Sequence, residues 1–380
     1  MRALLRRELL ALKHDNWQLA LVSYVPLLGF MLLWWLFSAA LPRHLPVAVV
    51  DQDHSSISRM LGRTINASPV NQVIDYPNQT EAIAAMRRGE VYALVTLPVN
   101  LRRDLLLGKQ PQIDVRYNGQ FLLVGKLLSA QISLSLADGL HQMARVNLLS
   151  HGVPSKLVAA HMQPVTTQTT ALFNVNNNYV GFLVPPILVA LWQLIAMLTF
   201  ANAMNRELTP SHWQQAYQQG WFKLIGAKAL FYAPILLVHG QFVLALVYGY
   251  LGLPAEQLLW LLPLQLLTLL AVWLWVVLIF FLLRDSARVI SFCTALFAPA
   301  FAFMGITFPT ANMPLLAQWW RELMPSSHYI EAHVSLVSYG NVGLMWQHGL
   351  AMLGFLLLLL PTLALAYWHR PKADKVEALS

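Results

Sequence analysis

The residues of this chain that could do chemistry are few, and the most suggestive are two carboxylates. Asp51 and Asp53 directly follow the short apolar run V-A-V-V at 47–50. Two carboxylates at the end of a strand could ligate a metal ion or act as an acid–base pair. The same pattern is also typical of a strand end followed by a turn and a helix N-cap. Both interpretations are open from the sequence, and the second needs no ligand.

No motif for catalysis or nucleotide binding is present in the sequence. The chain has no G-x-S-x-G, no H-E-x-x-H and no paired cysteines, since Cys293 is its one cysteine. The Gly-Lys pairs at 108–109 and 125–126 lack the remainder of a P-loop, G-x-x-x-x-G-K-[ST]. The 12 histidines are scattered. We therefore expect no catalytic residue, no metal site and no cofactor bound directly by this chain.

A second set of polar residues lies inside long apolar runs. These residues are uncharged or weakly basic: Gln193, Asn202, His239, Gln241 and Gln265. Proton-driven transporters usually place carboxylates or arginines inside their spans. His239 could titrate, or it could make a hydrogen bond that packs two helices together. The pattern argues against a self-sufficient secondary transporter.

The elements that carry these residues are those of an integral membrane protein. Of the 380 residues, 57% are hydrophobic and 11% are charged, with a mean hydropathy of +0.53. Soluble domains contain about 25% charged residues, and a water-soluble fold could not bury this much apolar surface. The formal net charge of +8 is explained by basic residues at a cytoplasmic membrane edge rather than by nucleic-acid binding.

Hydropathy predicts six transmembrane helices. Residues 1–16 form an amphipathic helix on the membrane surface or a plain basic flank, and residues 371–380 form a cytoplasmic tail. The six spans are predicted at 17–41, 179–203, 230–251, 258–283, 289–305 and 344–368. Lys and Arg cluster at one set of span ends, whereas the two short connections on the other side contain only Arg321. This asymmetry places both termini in the cytoplasm.

Residues 42–178 have the periodicities of a small α/β domain. Strands are predicted at 47–50, 70–76, 92–97 and 113–117, and helices at 55–65, 80–88 and 101–107. A long helix is predicted at 122–149. Because the domain follows a span that runs outward, we expect it to lie outside the cytoplasm, inserted between the first two spans of an α-helical polytopic membrane protein.

Two segments between the spans have special patterns. Residues 205–228 contain an apolar set on a short cytoplasmic helix, which could dock on a soluble partner or lie in the membrane interface: Leu208, Trp213, Ala216, Tyr217, Trp221 and Phe222. Residues 303–340 contain three prolines and the Trp319–Trp320 pair between two apolar runs. The second pattern predicts a broken, re-entrant helical hairpin at the outer membrane edge.

Three motifs resemble those of one family, the ABC-2 type permeases. The opening V-V-D-Q-D-H-S-S-I-S at 49–58 resembles the start of that family's extracytoplasmic domain. The spacing of Glu81, Gly89 and Leu97-Pro98 is similar too. The segment 303–340 resembles its signature G-x-x-F-P-x-x-x-M-P followed by P-x-x-[HY]-[YF]. The order of these motifs, together with the six-span layout, extends the resemblance over essentially the whole chain.

The resemblance implies the permease subunit of a bacterial inner-membrane ABC exporter. It implies separate cytoplasmic ATPase subunits that use ATP and Mg, a second permease protomer, and a periplasmic adaptor protein. It also implies roles for three groups of residues. The connecting helix would use Arg6, Arg7 and Glu8; the ATPase-coupling segment Arg206, Glu207, Trp213, Trp221, Phe222 and Lys228; and the outer hairpin Phe308, Pro309, Met313, Pro314, Pro325, His328 and Tyr329.

The chain departs from the family pattern in the coupling segment. Family members usually carry E-x-G-T-x-E there, whereas this chain has R-E-L-T-P-S-H-W at 206–213. The apolar spans are compatible with an amphipathic or hydrophobic substrate, such as a drug, a lipid or a siderophore-like product. The alternative functions are a membrane-anchored receptor that uses the 42–178 domain, a membrane enzyme acting on lipid or glycan, and a proton-driven exporter.

Overall fold

The computed structural model describes residues 1–37, 43–107, 109–150, 179–252, 256–306 and 309–370. The described residues separate into two compact units. One is a helical unit formed by 1–37 and 179–370, and the other is an α/β unit formed by 43–150.

The α/β unit is built on a four-stranded sheet in the order β2-β1-β3-β4. Its strands are β1 (Leu45–Asp51), β2 (Asn71–Asp75), β3 (Ala93–Leu97) and β4 (Asp114–Tyr117). β1 pairs in parallel with β2 and β3, and β4 closes the edge antiparallel to β3. The centre of β1 and all of β3 are buried on both faces, which explains why they read as continuous apolar runs rather than alternating ones.

Four helices complete this unit: α4 (Ser56–Asn66), α5 (Gln79–Arg87), α6 (Leu101–Leu106) and the long α7 (Leu122–Ser150). Leu61, Leu128 and Ile132 from α4 and α7 pack on one face of the sheet. Ala82 and Ala85 of α5 pack on the other. The strands and helices predicted from the sequence between residues 47 and 149 are thereby confirmed to within a few residues.

Asp51 and Asp53 hold the connection between β1 and α4. Asp51 Oδ1 accepts the backbone N–H groups of Asp53 and His54 at 3.0 and 2.9 Å, and its Oδ2 accepts the Ser58 hydroxyl at 2.7 Å. Asp53 Oδ2 accepts the backbone N–H of Arg102 at 3.1 Å. The carboxylates therefore act as turn and helix caps. Within the described part of the chain, no group of three or more metal-binding side chains lies close together.

The helical unit begins with three helices at the N-terminus, α1 (Arg2–His14), α2 (Asn16–Leu21) and α3 (Tyr24–Phe37). It continues with α8 (Tyr179–Asn205), a 3₁₀ turn (Arg206–Leu208), α9 (Pro210–Gln219), α10 (Trp221–Leu251) and α11 (Glu256–Leu283). The remaining helices are α12 (Ser286–Phe297), α13 (Ala300–Phe303), α14 (Leu315–Glu322), α15 (Pro325–Val337), α16 (Val342–Ala351) and α17 (Leu359–Trp368), with 3₁₀ turns at Thr310–Asn312 and Met352–Leu358.

Five helical segments of the described chain are long and apolar enough to cross a membrane. They are Gly181–Leu208, Trp221–Leu251, Glu256–Leu283, Ser286–Phe303 and Val342–Trp368. The helix Tyr24–Phe37 is apolar but shorter. The span predicted at 17–41 is interrupted after Leu21, and its residues 38–41 lie outside the described part of the chain. The structure thus agrees with a helical polytopic membrane protein and supports five of the six predicted spans by length.

The hairpin segment (303–340) is helical in pieces. After Gly305, whose φ is +85°, the 3₁₀ turn Thr310–Asn312 leads into α14 and α15, which begin directly after Pro314 and at Pro325. Leu315, Leu316 and Trp319 are exposed along one face of α14. By contrast, α15 is buried over almost its whole length. The prolines therefore mark the helix starts, as expected for a ring that fixes φ and lacks an N–H.

Candidate functional site

Five charged residues of the helical unit meet in one largely buried cluster, which we call the ion cluster and define as Arg7, Glu8, Arg206, Glu207 and Lys228. Lys228 Nζ lies 2.7 Å from Glu8 Oε1 and 2.9 Å from Glu207 Oε1. Arg206 Nη2 lies 2.7 Å from Glu8 Oε2, and Arg7 pairs with Glu207. Three elements are joined in this way: α1, the 3₁₀ turn after α8, and the first turns of α10.

The side chains of Glu207 and Lys228 are 0% exposed and that of Glu8 is 2% exposed. Lys228 also donates to the carbonyl of Ala203 at 2.8 Å, and Arg206 donates to the Tyr232 hydroxyl at 2.7 Å. Buried charges are tolerated when they are paired and hydrogen-bonded in this manner. Three cations face two carboxylates, and Glu8 and Glu207 each pair with Lys228 and with one arginine, so removal of a cation leaves at least one buried carboxylate with one fewer partner.

A second polar contact fixes α2 against α8. Asp15 caps α2 by accepting the backbone N–H of Gln18 at 2.9 Å. The Asn202 side-chain amide donates to Asp15 Oδ2 at 2.9 Å and to Gln18 Oε1 at 2.7 Å. Gln18 in turn donates to the carbonyl of Thr199 at 3.0 Å. The N-terminal helices are therefore anchored to α8 at two consecutive points.

The sequence interpretation of residues 205–228 needs a correction. Two positions were open for its apolar residues, a docking surface for a soluble partner or the membrane interface, but Ala216 and Trp221 are buried and Trp213 and Tyr217 pack against the core of the helical unit. Trp213 and Trp221 contact each other and Phe281 of α11, with ring centroids 5.0–6.1 Å apart. The reason is that an amphipathic pattern identifies an apolar face but not what covers it.

The end of this segment also differs from the expectation. Gly220, with φ +90°, ends α9, and residues 221–228 already belong to the long helix α10. The exposed side chains of residues 209–223 are polar or charged apart from Pro210 and Phe222, and Phe222 is 64% exposed. On α9 they include Ser211, Gln215 and Gln218, which follow one another at helical spacing along one face. We call Ser211, Gln215 and Gln218, together with Phe222, the polar face.

The remaining predicted residues divide between surface and core. Arg6 is exposed on α1. In the hairpin segment, Pro309 and Pro314 are exposed, Met313 is half-buried, and Phe308 lies outside the described residues. Pro325, His328 and Tyr329 are buried in α15. The predicted hairpin residues therefore do not form one continuous surface in the described chain.

Tyr329 connects the hairpin segment to the helices around it. Its hydroxyl accepts a hydrogen bond from Gln265 Nε2 at 3.3 Å, and Gln265 Oε1 accepts from Gln241 Nε2 at 3.0 Å. Gln193 Oε1 accepts the backbone N–H of Ser326 at 2.8 Å. Three of the polar residues noted inside apolar runs therefore hold α15 against α8, α10 and α11. Such interhelical bonds are a common device in membrane proteins.

Comparison with known proteins decides the family. The family model described as ABC-2 family transporter protein matches residues 17–367. The chain belongs to the ABC-2 transporter family. The permease is also 23% identical over 364 residues to the protein named ABC transporter G family member 20 of Dictyostelium discoideum, a match that covers 91% of this chain. The chain spans about half of that curated relative, 48% of its length.

Membership of this family makes the chain a multi-pass membrane component of an ABC transporter. Three residues with central contacts in the permease were not predicted from the sequence: Asp15, Gln18 and Tyr232. Only Asp15 carried a signal, since an Asp at the end of one helix and before another is a typical N-cap. The other two have no distinctive spacing, and their partners Thr199, Asn202 and Arg206 lie on other elements.

Proposed function

We propose that the chain is the permease subunit of an ATP-driven exporter that moves an amphipathic or apolar molecule out across a bacterial inner membrane. The molecule would be a drug, a lipid or a siderophore-like product. Separate cytoplasmic ABC ATPase subunits bind ATP and Mg, a second permease protomer completes the pathway, and a periplasmic adaptor docks on the outer side. The 43–150 unit lies in the periplasm under this proposal.

The observation that carries the proposal is the ion cluster. It ties α1, the 3₁₀ turn Arg206–Leu208 and α10 into one body beside the polar face of α9. An ATPase that binds the polar face differently in its ATP-bound and ATP-free states therefore moves α10 and α1 together. Arg206, Glu207 and Lys228 act in this mechanism by transmitting the motion, not by contacting the ATPase.

Purification of the full tagged chain from native membranes in mild detergent tests the proposal. We expect a P-loop ATPase to co-purify in a stoichiometric amount, as identified by mass spectrometry. Gln215→Glu adds a charge in the middle of the polar face, and we expect about a tenfold loss of bound ATPase, equivalent to about 1.4 kcal/mol. ATP-dependent uptake of the transported molecule into inverted membrane vesicles should fall for Gln215→Glu by a similar factor.

Asn312→Glu is the matched control, because Asn312 is exposed in the hairpin segment, in a different part of the sequence. It should leave the bound ATPase unchanged. Absence of any P-loop ATPase under several gentle conditions would contradict the exporter. Equal ATPase binding by Gln215→Glu and wild type would contradict the role given to the polar face.

A further inference from the structure

A cavity lies between the first turns of α8, the last turns of α10 and helix α15. Its volume is about 400 Å³, within the range of roughly 300–1,000 Å³ for ligand pockets. The side chains that line it are mainly apolar and include Phe182, Leu251, Ile330 and Val334. Gly305 and Ile306, at the start of the hairpin segment, also line it.

One buried polar atom at this cavity lacks a partner. His333 lines the cavity and is 3% exposed. Its Nε2 lies 3.0 Å from the Tyr248 hydroxyl, whereas its Nδ1 has no hydrogen-bond partner among the described residues. An unpaired buried ring nitrogen is unfavourable, because it has lost its hydrogen bond to water without gaining another. Depending on the tautomer, this nitrogen either donates or accepts a hydrogen bond.

Two backbone acceptors lie on the same cavity wall. Pro185 and Pro186 are inside α8 and have no N–H, so the carbonyls of Gly181 and Phe182 cannot receive their usual helical hydrogen bonds. All four residues line the cavity. Within a membrane such carbonyls need another donor, from protein, water or ligand. The cavity thus combines two carbonyls that lack their usual helical donor with a ring nitrogen that can play either role.

The described lining contains no Asp, Glu, Lys or Arg, so a charged ligand would have no counter-ion there. We propose that this cavity binds an uncharged, mainly apolar molecule that carries a hydroxyl group. A hydroxyl is both donor and acceptor, so it can pair with either tautomer of His333 or donate to the carbonyl of Gly181 or Phe182, which lacks its usual helical donor. The ligand is a lipid of the surrounding bilayer or a molecule that the permease transports.

Photolabelling of the purified full chain, without ATP or ATPase, tests binding independently of the proposed function. The probe is 1-hexadecanol with a mid-chain diazirine, and the comparison probe is the hexadecane that carries the same diazirine but no hydroxyl. Labelled positions are located by peptide mass spectrometry. We expect the alcohol to label α8 and α15 about fivefold more than the alkane, the ratio that one net hydrogen bond provides.

The double variant Tyr248→Phe/His333→Leu removes both members of the buried pair and leaves neither group unpaired. It should lower labelling by the alcohol to the level of the alkane. His239→Leu is the matched control, because His239 also has a buried, unpartnered Nδ1 but lines a different cavity. That variant should label like the wild type. Pro186→Ala restores an N–H for the carbonyl of Phe182 and should reduce the preference for the alcohol even if the double variant fails to fold.

Equal labelling of the wild type by alcohol and alkane would overturn the proposal, as would unchanged labelling of both test variants. Lipid extraction separates the two sources of the ligand. A hydroxylated lipid that is retained by the wild type and lost from Pro186→Ala identifies the bilayer as the source. A wild-type chain that retains no such lipid yet prefers the added alcohol binds a molecule that arrives from elsewhere.

Discussion

Glu8 and Lys228 are separated by 220 positions in the sequence, and their side chains are 2.7 Å apart in the interior of the helical unit. Glu8 lies on the helix that opens the chain, whereas Lys228 lies two turns into α10. The pair converts a surface helix into a structural part of the membrane-spanning unit. It also explains why charges that would be costly in isolation are present at this depth.

Lys228→Met tests how strongly the ion cluster depends on its central cation. The change leaves Glu8 and Glu207 buried with one fewer positive partner each, and breaking a buried ion pair in this way costs about 3–5 kcal/mol. We expect a clear fall in the midpoint of thermal unfolding in detergent. The control is Arg88→Gln/Glu90→Gln, which removes an exposed ion pair of the α/β unit. Equal midpoints for Lys228→Met and wild type would contradict the structural role of the cluster.

Trp213→Ala and Phe222→Ala should affect different properties, the first the stability of the chain and the second the binding of the ATPase. Trp213 packs on Trp221 and Phe281 and has the guanidinium of Arg284 5.0 Å above its ring, so its truncation costs about 3 kcal/mol of stability. Phe222 is exposed, and its truncation should change stability by less than about 0.5 kcal/mol. Thermal unfolding measures the first effect. The amount of ATPase that co-purifies should fall for Phe222→Ala, as for the other change in the polar face, Gln215→Glu, and should be unchanged for correctly folded Trp213→Ala.

Gly305→Ala should destabilise the hairpin segment. A Cβ at this position would lie 2.6 Å from Cγ2 of Thr310, and the φ of +85° is unfavourable for any residue with a side chain. We expect a loss of about 1–2 kcal/mol from the backbone conformation and a further loss from the contact. Adding Thr310→Ser removes the contacting methyl group, so it should restore the stability lost through the contact but not the stability lost through the backbone conformation.

Gly226→Ala is the matched glycine control. Gly226 lies inside α10 and has no neighbour within 4 Å of an added Cβ. Its replacement by alanine should increase the free energy of unfolding by about 0.5–1 kcal/mol, because alanine favours the helix. A destabilised Gly226→Ala together with a neutral Gly305→Ala would show that the two backbone conformations have been assigned the wrong way round.

Tyr217 should make stability depend on pH in the alkaline range. Burial raises the pKa of its hydroxyl from 10.0 to about 12. The unfolded chain therefore ionises this tyrosine first, so its contribution is complete below pH 10 and is lost as the pH rises through about 12. Tyr217→Phe also loses the 2.5 Å hydrogen bond to the carbonyl of Ala366. At pH 8 we expect the thermal unfolding midpoint of Tyr217→Phe to lie below that of the wild type. Between pH 10 and 11.5 the midpoint of Tyr217→Phe should decrease less than that of the wild type. Equal decreases would contradict the role given to Tyr217.

Sequence periodicity was sufficient for the α/β unit, because each of its strands and helices has a local signal. The run at 47–50 predicted β1, and Gly89 ended α5, where its φ is +75°. The long spans were predicted equally well from hydropathy. The interruption after Leu21 was missed, although Ser23 and Pro26 mark it, since Pro26 lies in the first turn of α3, where a helix tolerates proline.

The candidate site was less predictable, because its contacts join distant parts of the sequence. Glu207 and Lys228 were selected through the family resemblance as contacts for an ATPase. Within the described chain Glu207 pairs with Lys228 and Arg7, and Lys228 also pairs with Glu8. The amphipathic pattern of residues 210–219 predicts a helix with one apolar face, but it does not show that α11 packs against that face. Long-range pairing and the identity of a covering partner are properties of the folded chain, not of a local window.

The position of Glu8 has a consequence for how the chain is made. Ribosomes add about 5–20 residues per second, so Lys228 is polymerised roughly 10–45 s after Glu8. During that interval the first helix can already reach the membrane, but its carboxylate has no cation from α10 to pair with. The N-terminal helix is therefore among the first parts of the helical unit to be synthesised and among the last to be locked in place.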